Sequence, residues 1–217
     1  MSSEKVAIVT GANKGETAIE SLQELGYNPA YHQLDVEDQA SVDEFQKYIA
    51  KNYGGVDVLV NNAGVKGKGS FGMQATASVG VNYFGTLRMS EAFLPLLRHN
   101  ANVVNVSSSL GHLAKIPSEE LRKKFADPDL TISRLSDLMN EFVRAATEDH
   151  NPEKNWGTLP YTVSKVDLND YRGILTVEEG AVAPLYAALN QDGWKGQFVW
   201  RDCTLVDWFG PELPAPY

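Results

Sequence analysis

The sequence predicts an α/β protein, a doubly wound parallel sheet of the Rossmann type in a single domain. Short β-rich runs alternate with helical patterns along the chain, and the first run, residues 6–10, is continuously apolar, as in a strand covered on both faces. Glycines, amides and hydroxyls follow directly after the runs, at the strand ends where such sheets bind ligands. The 217 residues contain no repeat, low-complexity tract or Pro/Gly/Ser linker, so residues 1–217 read as one domain.

The elements follow in order. After the strand at 6–10, residues 16–25 have helical composition and stop at Gly26, a suitable C-cap. Residues 29–36 read as a second strand. Ser41 with Glu44 forms a capping box before a helix whose Val42, Phe45, Tyr48 and Ile49 share a face. Residues 56–60 are the third strand; 74–98 are mostly helical, bent or ended locally by Pro95; 102–106 are the fourth strand. A helical insertion at about 112–157 places Ile132, Leu135, Leu138, Met139, Phe142 and Val143 on one face. Thr176 and Glu179 cap a helix carrying Val182, Leu185, Tyr186 and Leu189, and 196–200 supply a last strand.

Composition narrows the function. With 28 Asp plus Glu against 19 Lys plus Arg, the net charge is −9, which argues against nucleic acid and anionic membrane surfaces as partners. Cys203 is alone, so no intrachain disulfide forms, and no run of about 18 apolar residues suggests a membrane span. The start of the chain lacks the basic and apolar regions of a secretion signal, and a reducing, cytoplasmic setting is expected. The four histidines show no metal-ligand spacing, so no metal is expected. Cys203 reads as a structural thiol and the four tryptophans as packing residues.

Four motifs carry chemistry. Thr10-Gly11-Ala12-Asn13-Lys14-Gly15 is a glycine-rich turn into a helix N-terminus, suited to a diphosphate but equally to a tight strand-helix connection. Asn61-Asn62-Ala63-Gly64 follows the third strand and Asn105-Val106-Ser107-Ser108-Ser109 the fourth; each lines a strand-end crevice or forms an ordinary loop. Tyr161 and Lys165 stand one helical turn apart, and a cation there favours the phenolate, lowering a tyrosine pKa that is otherwise about 10.

In this order and placement the motifs resemble the short-chain dehydrogenase/reductase family, most closely its carbonyl reductases. Asn82-Tyr83-Phe84-Gly85-Thr86, Leu138-Met139-Asn140-Glu141-Phe142-Val143 and the long insertion before Tyr161 add to the likeness. The resemblance implies an NADPH-dependent reduction of small carbonyl compounds, namely aldehydes, ketones or quinones. Tyr161 would protonate the carbonyl oxygen, Lys165 would lower the Tyr161 pKa and hold the nicotinamide ribose, Ser108 would hydrogen-bond the substrate, and Asn82 would help hold a proton-relay water. Gly11, Asn13, Lys14 and Gly15 would meet the phosphates, with Lys14 favouring NADP over NAD. Asp35 and Val36 would sit by adenine, and Asn62, Ala63, Gly64 and Val106 would line the cofactor. The insertion covers the face through which relatives oligomerise, so a monomer is implied.

The sequence also departs from the family. Gly15 is followed by Glu16-Thr17 where a third glycine belongs, and Thr10 and Asp35 are only 25 residues apart where two crossover units of about 30 residues each are expected. After Lys165 a strand and a proline-glycine loop are missing. A naturally compact variant with strand order 2-1-3-4-5 would fit, as would deletions from a larger enzyme. Deletions are favoured, because apolar surface stripped of cover costs about 25 cal/mol per Å². The defective turn leaves a second reading, a non-catalytic relative that has lost cofactor binding and serves as an interaction protein.

Overall fold

The computed structural model describes residues 5–12, 15–148, 151–166, 198–199 and 205–206. Three parallel strands, β1 (Ala7–Val9), β2 (Val56–Asn61) and β3 (Leu97–Asn105), lie in the order β1-β2-β3. Helices α1 (Gly15–Glu24) and α2 (Gln39–Tyr53) lie between β1 and β2 in the chain. Between β2 and β3, α3 (Phe71–Ser78) runs through a π-helical stretch (Val79–Gly85) into α4 (Thr86–Phe93). Beyond β3 come a short strand β4 (Ser107–Ser108), α5 (Glu119–Phe125), α6 (Ile132–Glu148), α7 (Glu153–Trp156) and α8 (Pro160–Ser164). A parallel sheet with helical crossovers is the α/β fold the sequence predicts.

Two cores hold these elements. Ile8 and Leu59 of the sheet pack with Val42, Phe45 and Ile49 of α2 and with Met89 and Phe93 of α4. Leu135, Leu138, Met139 and Phe142 of α6 pack with Ala75 of α3, Trp156 of α7 and Val163 of α8. Burying each of these larger side chains contributes on the order of 1.5–3 kcal/mol. Trp156 packs as expected, its ring 5.1 Å from Phe142. Ile132 departs from its predicted face: it opens α6 and is 59% exposed, because the first turn projects beyond the core.

Other boundaries also move. Asp38, not Ser41, caps α2, accepting from the Ala40 N–H, while the Ser41 hydroxyl accepts from the Asp35 N–H. Helix α4 ends at Phe93, Pro95 lies in a 3-10 turn, and β3 starts at Leu97, five residues earlier than expected. Its pairing slips between Val56 and Val58 of β2, opposite Leu97 and Asn102, and Asn100 takes a left-handed φ of 64° that asparagine tolerates. Phe198–Val199, within the predicted last strand, pairs antiparallel with Leu205–Val206 rather than in the parallel sheet. The expected helix after Thr176 lies outside the described residues.

The largest correction concerns residues 29–36, predicted as the second strand. His32, Leu34 and Val36 turn inward and Tyr31, Gln33 and Asp35 outward, the period-2 alternation of a strand. Among the described residues, however, no ladder pairs with them, so the order 2-1-3-4-5 does not form there and β1 stands at the sheet edge with Val9 60% exposed. The segment instead lies against α2, where the His32 ring stands 5.0 Å from Phe45 and 4.6 Å from Tyr48. Without a sheet strand to follow it, α1 is almost wholly exposed, including Leu22.

At the opposite end of the sheet Asp57 ties three strands together. Its carboxylate accepts from the Val6 N–H at 2.8 Å and from Arg98 at 2.7 Å, and these bonds, the Val6 one first, hold its pKa below the usual carboxylate value. A carboxyl with a depressed folded pKa stabilises the fold above its unfolded pKa, and that contribution disappears as pH falls through the folded value. Asp57→Asn is expected to cost about 1 kcal/mol at pH 7, in a partly exposed site, and nothing in strong acid; urea unfolding at the two pH values checks this.

Candidate functional site

The carboxyl ends of the three strands are stitched into one rim. Thr10 Oγ1 accepts from the Asn62 N–H at 3.0 Å and the Ala63 N–H at 2.9 Å, and Asn62 Nδ2 donates to the Thr10 carbonyl at 2.8 Å. Gly11, at φ 91°, has no room for a side chain: a Cβ would stand 2.8 Å from the Ala63 Cα. Asn61 Nδ2 bridges Ser90 and Asn105, and the Asn61 carbonyl accepts from the Val106 N–H at 3.0 Å. The first and second motifs therefore hold each other, and the second holds the third.

The fourth motif docks on this rim. Pro160 preorganises the first turn of α8 and Tyr161 follows it, buried. The sequence places Tyr161 and Lys165 on one helix, but α8 ends at Ser164 and Lys165 caps it at φ −116°, ψ 2°. Lys165 is fixed at both ends: its Nζ donates to the Val106 carbonyl at 2.7 Å and its own carbonyl accepts from Ser107 Oγ at 3.2 Å. Burial, with only 3% of the residue exposed, lowers its pKa to about 8.

Asn82 lies in the π-helical stretch, fully buried. Its Oδ1 accepts from the Val65 N–H, and its Nδ2 donates to the Val65 carbonyl and to Ser164 Oγ at 2.9 Å each. It thereby joins the loop after β2 to the helix bearing Tyr161. Ser108 is also fully buried; its oxygen accepts from the Leu110 N–H at 3.1 Å, a bond that leaves its own proton available. A Cβ at Gly64 would lie 3.4 Å from Asn82 Oδ1 and 3.5 Å from Lys165 Nζ, so both polar groups converge on the space that glycine leaves.

The other end of the site is less complete. Asn13 and Lys14 lie outside the described residues. Asp35 is exposed and its carboxylate accepts from the Glu37 N–H, whereas Val36 is buried under Gly85 with its carbonyl accepting from Arg88. Asn62 and Ala63 are engaged with Thr10 as described. Ser107, Gly111 and Ser164 are positioning residues that the motif reading did not single out; Ser107 and Gly111 flank Ser108 closely enough to have been suspected. Among the described residues, no group of three His, Cys, Asp or Glu could hold a metal ion and no helix is long and apolar enough to cross a membrane.

The family described as short chain dehydrogenase matches residues 2–118, more than half of the chain. The chain belongs to the short chain dehydrogenase family. The chain is 32% identical to carbonyl reductase (NADPH) 1 of Mus musculus over 276 aligned positions, covering 95% of this chain and 99% of that one. Among solved structures it is similar to menthone neomenthol reductase from Mentha piperita, with a TM-score of 0.69 and 26% identity over 84% of this chain and 83% of that one. It is also similar to salutaridine reductase from Papaver somniferum, with a TM-score of 0.65 and 25% identity over 80% of this chain and 69% of that one. An alignment of 276 positions exceeds the 217 residues of the chain, so at least 59 positions (276 less 217) face gaps in it. The shortness inferred from motif spacing is thus internal to the chain, measured against a relative matched almost end to end.

Proposed function

We propose that this protein reduces aldehydes, ketones or quinones with NADPH, Tyr161 acting as proton donor. The observation that carries this reading is the buried Lys165 ammonium, anchored on the Val106 carbonyl one turn from Tyr161 and beside Gly64. The mouse relative's name, carbonyl reductase (NADPH), supports the cofactor and the substrate class.

The residues fit the reacting half of NADPH: Gly64 leaves room between Asn82 Oδ1 and a lysine ammonium, which suits a ribose hydroxyl and an uncharged ring. When bound, NADPH supplies hydride to the carbonyl carbon. Lys165 would hold the ribose and, as a cation, lower the Tyr161 pKa so that its phenol can protonate the oxygen near neutral pH. Ser108 would donate its free proton to that oxygen, and Asn82, with both N–H groups committed, would offer only its oxygen to a relay water. Asn62, Ala63, Gly64 and Val106 line the cofactor in this reading; Gly11, Asn13, Lys14 and Gly15 meet its phosphates; the Asp35 and Val36 backbone lies by adenine. The protein acts as a cytoplasmic monomer on a small-molecule substrate.

The pH dependence tests the lysine's role. With its pKa lowered to about 8, Lys165 is a cation below that value and neutral above it. Reduction is expected to fall with an apparent pKa near 8 for the Tyr161–Lys165 pair, roughly tenfold per unit beyond it. Fold stability moves the other way: the buried cation is a penalty that is relieved as pH rises from about 8 towards the unfolded value near 10.5, so lost activity is not unfolding. Parallel measurement of kcat and Tm checks this, and constant kcat to pH 9.5 would count against the lysine's role.

One observation favours the second reading, a non-catalytic interaction protein: the segment expected to complete the adenine side pairs with no strand among the described residues. Direct NADPH titration separates the two, since saturable micromolar binding excludes the loss of cofactor binding.

A further inference from the structure

We infer that Tyr31 controls entry of the dinucleotide's diphosphate to the glycine turn, its ring standing in the space that Gly15 keeps open. This rests on the NADPH reading and concerns a residue to which neither the motifs nor the comparisons give a role. The second glycine of a dinucleotide-binding turn lacks a Cβ so that the diphosphate can approach the backbone. Here a Cβ at Gly15 would fall 2.2 Å from Cε2 and 2.4 Å from Cδ2 of Tyr31. Gly11 and Ala12 of the same turn are exposed while Gly15 is buried, so the ring covers the glycine that the ligand needs.

The surroundings show how the ring gets there and how it can leave. In the unpaired 29–36 segment Tyr31 faces away from the core, whereas its neighbour His32 is wedged against Phe45 and Tyr48 of α2. The backbone is therefore anchored independently of the Tyr31 ring. That ring is 41% exposed, and its hydroxyl makes no hydrogen bond among the described residues, so a rotamer change frees Gly15 without dismantling the fold. A ligand that binds only the open state binds more weakly by the open fraction.

The test compares wild type, Tyr31→Ala and Tyr31→Phe by fluorescence titration with NADPH, with ADP-ribose, which carries the diphosphate but no nicotinamide, and with reduced nicotinamide riboside, which carries no phosphate. Tyr31→Ala is expected to bind NADPH and ADP-ribose about tenfold more tightly, equivalent to about 1.4 kcal/mol, with the riboside unchanged. Tyr31→Phe keeps the ring and should match wild type. If wild type binds NADPH and Tyr31→Ala binds no more tightly, or more weakly because the ring supports α1, the role of Tyr31 is overturned and the reductase reading stands. If neither protein binds NADPH while both keep their circular dichroism and melting transition, both ideas fall.

Discussion

Tyr161→Phe is expected to reduce carbonyl turnover by a factor of roughly 10²–10⁴ while leaving NADPH affinity and Tm nearly unchanged. The substitution removes one oxygen from a buried ring in the first turn of α8. The Lys165 ammonium keeps its anchor on Val106, so the groups expected to hold the ribose remain in place. In the proposed reaction, what disappears is the proton that Tyr161 would deliver to the developing alkoxide, and Ser108 can donate a hydrogen bond but is too weak an acid to replace it. Steady-state rates and NADPH titration, run together on the variant, separate lost chemistry from lost binding. A variant retaining more than about a tenth of wild-type turnover would remove Tyr161 from the proposed role.

Gly111→Ala is expected to be almost as damaging without touching a reacting group. A Cβ there would stand 2.1 Å from the Lys165 carbonyl oxygen and 2.5 Å from its carbon, both backbone atoms. Lys165 cannot step aside, because Ser107 holds its carbonyl and Val106 its ammonium. Overpacking of this kind costs typically 1–3 kcal/mol, and displacing the ammonium by about 1 Å is worth roughly 10² in rate. Ser107→Ala removes only the 3.2 Å bond to the Lys165 carbonyl and should lose far less of both. Equal effects of the two changes would show that the close packing of Gly111 on Lys165 does not set the lysine's position.

Much of this was legible in the sequence because it follows from local pattern. The apolar spacing of Val42, Phe45 and Ile49 identified the buried face of α2, and Leu135, Leu138, Met139 and Phe142 that of α6. The strand-end motifs announced a rim, and their mutual hydrogen bonds form it. Residues 29–36 mark where local pattern stops being enough: their alternation is that of a strand, but pairing also needs the segment to lie in register beside a sheet edge, and here it lies against α2. Gly111 and Tyr31 were hidden for a related reason. A glycine pressed on a backbone 54 positions away, or a tyrosine laid over a glycine 16 positions earlier, leaves no periodic trace in one sequence.

The shortened span before residue 35 has a physical consequence at the site. Among the described residues it leaves β1 at the sheet edge and α1 without a strand to bind it down; Asn82 and Lys165 are anchored instead on Val65, Ser164 and Val106, whereas Gly64 follows Asn62 and Ala63, which Thr10 holds at the end of β1. The half of the site proposed to react is built from β2, β3, the π-helical stretch and α8, all of which are held by the two cores. The anchoring of Asn82 and Lys165 away from the shortened span is why catalysis is proposed for a chain at least 59 aligned positions shorter than its match to the mouse enzyme.

The most direct measurement follows deuterium from C4 of labelled NADPH during incubation of the intact 217-residue chain with a quinone or an aromatic aldehyde. Label on the former carbonyl carbon of the product, formed by wild type and lost with Tyr161→Phe, is the expected result for the aldehyde; for the quinone it is stoichiometric NADPH oxidation with the same dependence. A folded wild-type chain that neither oxidises NADPH nor transfers deuterium to either substrate would contradict the assignment of this site as a carbonyl reductase.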